Sequence, residues 1–287
     1  MGIVRFKIDV LVVTRNRYLQ LTNCVKHVCV NSLKPNSLII VDCSTNIDRR
    51  VKKEVSNIAK ENNIGLRYYN ILHNGVGFSR NFALDKVVSP YFVFLDDDEY
   101  APRNWLKQIA IIFLTHKNLE VLAGPKIPTD THNYWHKVWY ALTENEYVYS
   151  GPVKTIPSGN SVYKTHYINK NNLRFDERFR DCSEDQAFSF ELNKSGTYIH
   201  FSNKIWVNHD LRRSLTSFIK QWFYYGKNKF FYHKLYLGSG TVLEFSKIGT
   251  TAKNFWGTFP YRATLRDLSI LPGVILLNLI FTIGYIY

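Results

Sequence analysis

The chain has 287 residues, 45% hydrophobic and 21% charged, which excludes a disordered polymer and allows an ample core. Lys and Arg number 37 against 23 Asp and Glu, a net charge of +14 that favours anionic partners: nucleic acid, acidic lipid or nucleotide phosphates. The positive charge is dispersed and no recognition motif accompanies it, so nucleic acid is not an expected partner.

Val10–Val13 belongs to a β-branched run ending at the polar cluster Thr14-Arg15-Asn16-Arg17, after which Tyr18, Leu21, Val25 and Val28 recur at helical spacing. Leu38–Val41 predicts a second strand ending at Asp42, and a polar helix follows over about 48–62. Leu66–Tyr69 predicts a third strand, and Gly75-Val76-Gly77 leads into a helix near 79–87. Tyr91–Leu95 is a fully apolar strand ending at Asp96-Asp97-Asp98. Beyond it, Ser158–Ser161 reads as a loop, a helix is expected near 184–195 with Ser183 as cap, and short strands near 197–201 and 205–208. A long aromatic and basic helix is expected over 214–234.

Apolar strands alternating with helices imply a mostly parallel α/β sheet covered on both faces. Ligands in such sheets sit at the carboxyl ends of the strands. Here those ends carry Thr14–Arg17, Asp42 and Asp96–Asp98. Three adjacent carboxylates repel one another unless a cation lies among them, and a hard divalent ion takes oxygen ligands together with phosphate. The competing reading is a solvated acidic turn. Glu184-Asp185 opens a helix, where acidic residues either complement the dipole or supply a general base. His209 is either a metal ligand or structural.

The four cysteines, Cys24, Cys29, Cys43 and Cys182, show no CxxC pair and read as buried thiols in a reducing compartment. The N-terminal stretch has no signal-peptide pattern, and Phe6 stands where myristoylation wants Ser or Thr.

Together these pieces resemble the inverting family 2 glycosyltransferases of the GT-A fold. Val12–Arg17 is similar to that family's Pro-Thr-Tyr-Asn-Arg signature, and Val41-Asp42-Cys43-Ser44-Thr45 to its Val-Asp-Asp-Gly-Ser-Thr. Gly75–Asn81 is similar to its Gly-x-x-x-Ala-Arg-Asn stretch and Leu95–Asp98 to its DxD element. Phe175–Phe179 followed by Glu184-Asp185 resembles its acceptor block. The resemblance implies a nucleoside-diphosphate sugar donor, with UDP foremost, and a divalent ion, Mn²⁺ or Mg²⁺. It puts Thr14, Arg15, Asn16, Arg17, Asp42, Arg80, Asp96, Asp97, Gly159 and Asn160 around the donor and Asp98 and His209 on the metal. Asp42 would read the pyrimidine, Asp97 would contact the ribose, and Asp185 would be the base, with Glu184 placing the acceptor. Departures are Val13 for Pro, Arg15 for Tyr and Cys43 for a small or acidic residue. Gln221-Trp222 is only a fragment of the polymerising signature, which favours single-sugar transfer.

The expected organisation is a GT-A domain over 1–210, with a nucleotide half 1–125 and an acceptor half 126–210, and a helical extension 211–287. Leu268–Tyr287 is twenty uncharged residues, long enough to meet a bilayer, and Arg262, Arg266 and earlier lysines flank it. Pro272-Gly273 and Asn278 weaken a simple spanning helix. This points to the cytoplasmic face of a membrane and a glycan or lipid-linked acceptor, with an oligomer left open. Two rivals are a sugar nucleotidyltransferase, which should carry a glycine-rich loop where Thr14–Arg17 stands, and a non-catalytic binding protein.

Overall fold

A computed structural model describes residues 6–238 and 267–287, with the backbone alone for 144–148. Met1–Arg5 and the basic flank Arg262 and Arg266 lie outside the described residues. The chain divides into two compact units, Met1–Ile127 with Tyr149–Arg180 and Glu184–Asp210, and Pro128–Val148 with Asp181–Ser183 and Leu211–Tyr287.

In the first unit, β1 (Ile8–Thr14), β2 (Ser37–Asp42), β3 (Gly65–Asn70) and β4 (Tyr91–Asp96) are joined by α1 (Tyr18–Cys29), α2 (Arg49–Glu61) and α3 (Val76–Leu84). They form the parallel half of an eight-stranded sheet ordered β3-β2-β1-β4-β9-β6-β10-β8. β9 (Ser161–Lys164) runs antiparallel between β4 and β6 (Val121–Ala123). β10 (Ile199–Ser202) pairs parallel with β6, and β8 (Ser150–Pro152) closes the edge antiparallel. A small second sheet orders β5 (Glu99–Tyr100), β11 (Val207–His209) and β7 (Lys126–Pro128).

Successive residues of a strand face opposite sides of the sheet, and here both sides are covered. Ile8, Val10 and Val12 pack with Leu38, Ile40, Val93 and Leu95 beneath α1, α2 and α4 (Trp105–Thr115). Leu11, Ile39, Val41, Phe92 and Phe94 pack on the other face with α3, α6 (Thr165–Lys170) and α7 (Glu184–Lys194). That double burial explains why these strands read as continuous apolar runs. Asp9 is the exception inside β1. Its carboxylate accepts hydrogen bonds from the Ser37 and Ser89 hydroxyls and the Val88 and Ser89 amides, and so ties down the amino ends of the strands.

Two expectations need correction. Ser161 opens a buried strand rather than lying in a loop, because the apolar pair Val162-Tyr163 fills the space between β4 and β6. Helix α3 begins at Val76, not near 79. A Cβ on Gly77 would stand 2.8 Å from the Asp176 carbonyl, so this glycine lets the helix start against the 176–180 segment. None of the four cysteines forms a disulfide among the described residues; Cys24, Cys29 and Cys43 are buried, but Cys182 is only half-buried.

The second unit is helical. α5 (Tyr134–Val148), α8 (Leu215–Tyr236) and α9 (Leu271–Ile286) share a core of Val138, Ala141, Phe218, Trp222, Val274 and Leu277. Trp222 meets Phe281 and Phe230 meets Tyr285, so α8 and α9 run side by side in the same direction. Their approach is close enough that a Cβ on Gly226 would overlap the Phe281 carbonyl, and one on Gly284 the Phe223 carbonyl. Pro272 falls in the first turn of α9, where a missing N–H costs nothing, so it does not interrupt the helix. Asn278 is buried and donates to the Val274 carbonyl at 2.8 Å. Leu268–Ile286 is long and apolar enough to cross a membrane, and it is partly buried inside the protein.

The glycine contacts give an expected outcome. Gly226→Val or Gly284→Val forces the two backbones apart and lowers stability by about 1–3 kcal/mol, as overpacking does. Thermal unfolding followed through the tryptophans of this unit, Trp139 and Trp222 among them, measures it. An unchanged midpoint would contradict the close packing.

Candidate active site

Parallel pairing brings the carboxyl ends of three strands into line, with Thr14 opposite Asp42 and Val13 opposite Asp96. Just beyond β4 the chain turns through Asp97 and Asp98 into β5. The Thr14 hydroxyl donates to Asp97 Oδ2 at 2.7 Å, locking the end of β1 to the turn. Arg17 spans both aspartates, with Nη1 2.9 Å from Asp97 Oδ1 and Nη2 2.5 Å from Asp98 Oδ2. His209, at the end of β11, brings Nε2 to 3.6 Å from the same Asp98 oxygen. The Asp210 amide donates to the Asp98 carbonyl at 2.8 Å and fixes the crossing.

Asp96 faces a second set of partners. Arg80 Nη2 lies 2.9 Å from its Oδ1 and Lys126 Nζ 3.1 Å from its Oδ2. Lys126 also pairs with the buried Glu99 at 2.5 Å, and the other Glu99 oxygen accepts from the Asp96 amide at 3.1 Å. Arg80 Nη1 then reaches Glu184 Oε1 at 3.2 Å, where the Ser158 hydroxyl also donates at 2.9 Å. Buried Arg80 therefore ties the end of β4 to the first turn of α7. Gly159 belongs here because a Cβ on it would overlap both the Asp96 and Glu99 carboxylates.

These neighbours separate the carboxyls electrostatically. Burial opposes ionisation of Asp98, but His209 and Arg17 outweigh it and hold the carboxyl well below the usual range. Asp96 is held at about 2 by Lys126 and Arg80, again against burial. Burial, followed by the Asp98 charge, pushes Asp97 up to about 7. Burial pushes Glu99 up to about 7 in spite of Lys126. Asp185 also rises to about 7, through burial and then the neighbouring Glu184. Its Oδ1 accepts the Gln186 amide at 2.8 Å.

Asp42 sits on the opposite side of Thr14. Its Oδ1 accepts the Ser44 backbone amide at 2.9 Å, and its Oδ2 accepts the Tyr68 hydroxyl at 2.7 Å and the Asn70 side-chain amide at 3.3 Å. Burial and then Asp42 push the Tyr68 hydroxyl far above its ordinary range, so it stays a donor. Asn16 adopts φ 57°, its amide donating to Ser44 Oγ and its side-chain oxygen accepting the Thr45 amide, which joins the loops after β1 and β2. Arg15 is exposed beside them. Asn160 is fully buried and engaged, accepting from Trp105 Nε1 and donating to the carbonyls of Pro125 and Ile205. Ser183 has φ 70°, not the extended backbone of a capping residue.

The structure thus gathers Thr14, Arg17, Asp97, Asp98 and His209 in one contact group and Arg80, Asp96 and Glu184 in another. Asp42 and Asn16 stand in a third. Sequence reasoning missed Glu99, Lys126 and Tyr68. Glu99 directly follows the acidic triplet and was open to inspection, whereas nothing in the sequence near Lys126 marks it.

Among the described residues, no three His, Cys, Asp or Glu side chains converge on one point as a metal cage. Asp98 Oδ2 and His209 Nε2 offer two donors 3.6 Å apart, a span one ion with ligand distances of about 2.1 Å can bridge. The donor set fits a hard ion that draws its remaining ligands from phosphate and water.

The candidate site is thus a carboxylate turn at the end of a central parallel strand, facing a helix that opens with two acids. The profile of glycosyl transferase family 2 matches residues 9–193, more than half of the chain, so the protein belongs to that family. No curated protein matches it in sequence. Among solved structures, the fold is similar to Staphylococcus aureus TarS 1-349 in complex with UDP-GlcNAc, with TM-score 0.59 and 16% identity over 97% of this chain and 89% of that one. The UDP complex of the same protein gives 0.58 and 17% over the same shares. A longer TarS chain gives 0.57 and 20% over 76% of this chain, which spans 38% of its length.

Proposed function

We propose that this glycosyltransferase moves one sugar from a nucleoside-diphosphate sugar, with UDP-linked donors the first candidates, to a hydroxyl of a glycan or lipid-linked acceptor. The observation that carries the reading is the line Asp42–Thr14–Asp97–Asp98, which sets hydrogen-bonding side chains beside the acidic turn. The similar TarS structures are complexes with UDP and with UDP-GlcNAc, which supports the donor class.

Asp42 and the loops at Arg15 and Asn16 take the base, and Arg17, the half-exposed cation at the acidic turn, takes the diphosphate. Asp98 and His209 would hold Mn²⁺ or Mg²⁺, which when bound supplies positive charge for the departing diphosphate. Asp185 accepts the proton of the acceptor hydroxyl as that oxygen attacks the anomeric carbon from the face opposite the leaving group, so the configuration inverts. Glu184, held by Ser158 and Arg80, positions the turn that carries this base. Residues 1–210 act as the transferase domain. The extension 211–287 places it at the cytoplasmic face of a membrane, a reading supported by the apolar Leu268–Ile286 segment and by exposed Lys220, Lys227 and Lys234 at seven-residue intervals on α8.

Calorimetric titration with UDP, ADP and GDP tests the pocket. UDP is expected to bind at least about tenfold more tightly than the purine nucleotides, a difference of about 1.4 kcal/mol, and Asp42→Ala to remove that preference. Equal binding of all three would overturn the assignment of the base pocket.

A further inference from the structure

We propose that Arg17 gates the cation position at Asp98: its guanidinium and a divalent ion compete for the same carboxylate oxygen, and a nucleoside diphosphate relieves the competition by drawing Arg17 to its phosphates. The inference rests on the donor reading above and concerns the order in which that site is filled. Asp98 Oδ2 is the point that both Arg17 Nη2, at 2.5 Å, and His209 Nε2, at 3.6 Å, approach. An ion held between Asp98 Oδ2 and His209 Nε2 shares that oxygen with Arg17 or takes it.

The burial of the partners decides which group moves. Asp97 and Asp98 side chains are only 5% and 14% exposed, whereas that of Arg17 is 40% exposed. The backbone around Arg17 is anchored from both sides, by Asn16 against Ser44 and Thr45 and by Leu21 closing the first turn of α1 on the Arg17 carbonyl. Its long side chain is therefore the free element, and it can swing into solvent or onto a ligand without moving the strand ends. Metal alone must break a two-pronged ion pair and leave the guanidinium with water. Metal arriving with a diphosphate gives Arg17 new anionic oxygens, which suit its fork geometry. The two ligands thus bind with positive coupling, and by linkage each tightens the other equally.

Free Mn²⁺, read by its electron paramagnetic resonance signal, tests this without turnover. In the wild-type protein Mn²⁺ alone is expected to bind weakly and to tighten at least tenfold with UDP. Arg17→Met should bind Mn²⁺ alone at least tenfold more tightly than wild type, with the coupling to UDP reduced to about threefold or less; Arg17→Lys, which keeps one charge but not the fork, should lie between. Asp98→Asn should abolish Mn²⁺ binding in both backgrounds. If Arg17→Met and Arg17→Lys bind Mn²⁺ alone no better than wild type, yet still bind it with UDP, the gate is wrong and the donor site stands. If no form binds Mn²⁺ with UDP present, the metal reading fails first and the gate with it.

Discussion

Asp185→Asn is expected to lower sugar transfer by about 10²- to 10⁴-fold, the range for loss of a general base, while donor binding changes little. Asparagine keeps the size of the side chain and an acceptor oxygen for the Gln186 amide, but it cannot take a proton. With Asp185 as the proposed base, the same residue is expected to set the pH profile. Burial and then Glu184 push Asp185 up to about 7, and the base is active only as the carboxylate. In the wild type kcat/KM should therefore climb with pH through about 7 and flatten above it, and the variant should lose that limb. Initial rates of nucleoside diphosphate release between pH 5.5 and 8.5 measure both. A variant with full activity, or a wild-type rate that falls across this interval, would remove Asp185 from the chemistry.

Arg80→Met is the substitution with the largest expected effect on folding. Arg80 is buried between Asp96 and Glu184, at 2.9 and 3.2 Å. Breaking a buried ion pair by deleting one partner leaves uncompensated charge, which costs on the order of 3–5 kcal/mol. Lys126 still faces Asp96, so the greater damage falls on Glu184 and the first turn of α7. Two consequences follow. Urea unfolding should shift strongly, and the surviving folded fraction should lose transfer activity because the turn carrying Asp185 is no longer held. Arg80→Lys retains the charge but reaches only one acid at a time, and should recover part of the stability and little of the rate. A Met variant as stable as the wild type would mean that the acids are neutral in the fold.

The parallel half of the sheet was legible because its strands are apolar on both faces and are punctuated by polar turns. Asp42 and Asp96 could be placed at strand ends for the same reason. β9 was not legible: four residues, Ser161-Val162-Tyr163-Lys164, become a strand only because β4 and β6 stand on either side. The acidic triplet shows the limit most clearly. Its sequence says that three carboxylates require positive charge, but it does not say which charge. The structure supplies Arg17 to Asp97 and Asp98, and Arg80 and Lys126 to Asp96, three cations drawn from segments 16 to 81 residues distant. Such pairings are set by tertiary crossings, which no local pattern encodes. Arg80 illustrates this: the motif it occupies points towards base or phosphate, whereas its contacts are Asp96 and Glu184.

If this carboxylate turn is a donor-sugar site, one sugar leaves it with inversion. Proton NMR of the purified protein turning over a panel of nucleotide sugars with Mn²⁺, with and without EDTA and with a hydroxyl acceptor, tests it most directly. Release of UDP from a UDP-α-linked sugar, a product with the β-configured anomeric proton, and loss of the reaction with EDTA or in Asp185→Asn are expected. Retention of the α configuration, or turnover untouched by both EDTA and the Asp185 substitution, would contradict this reading.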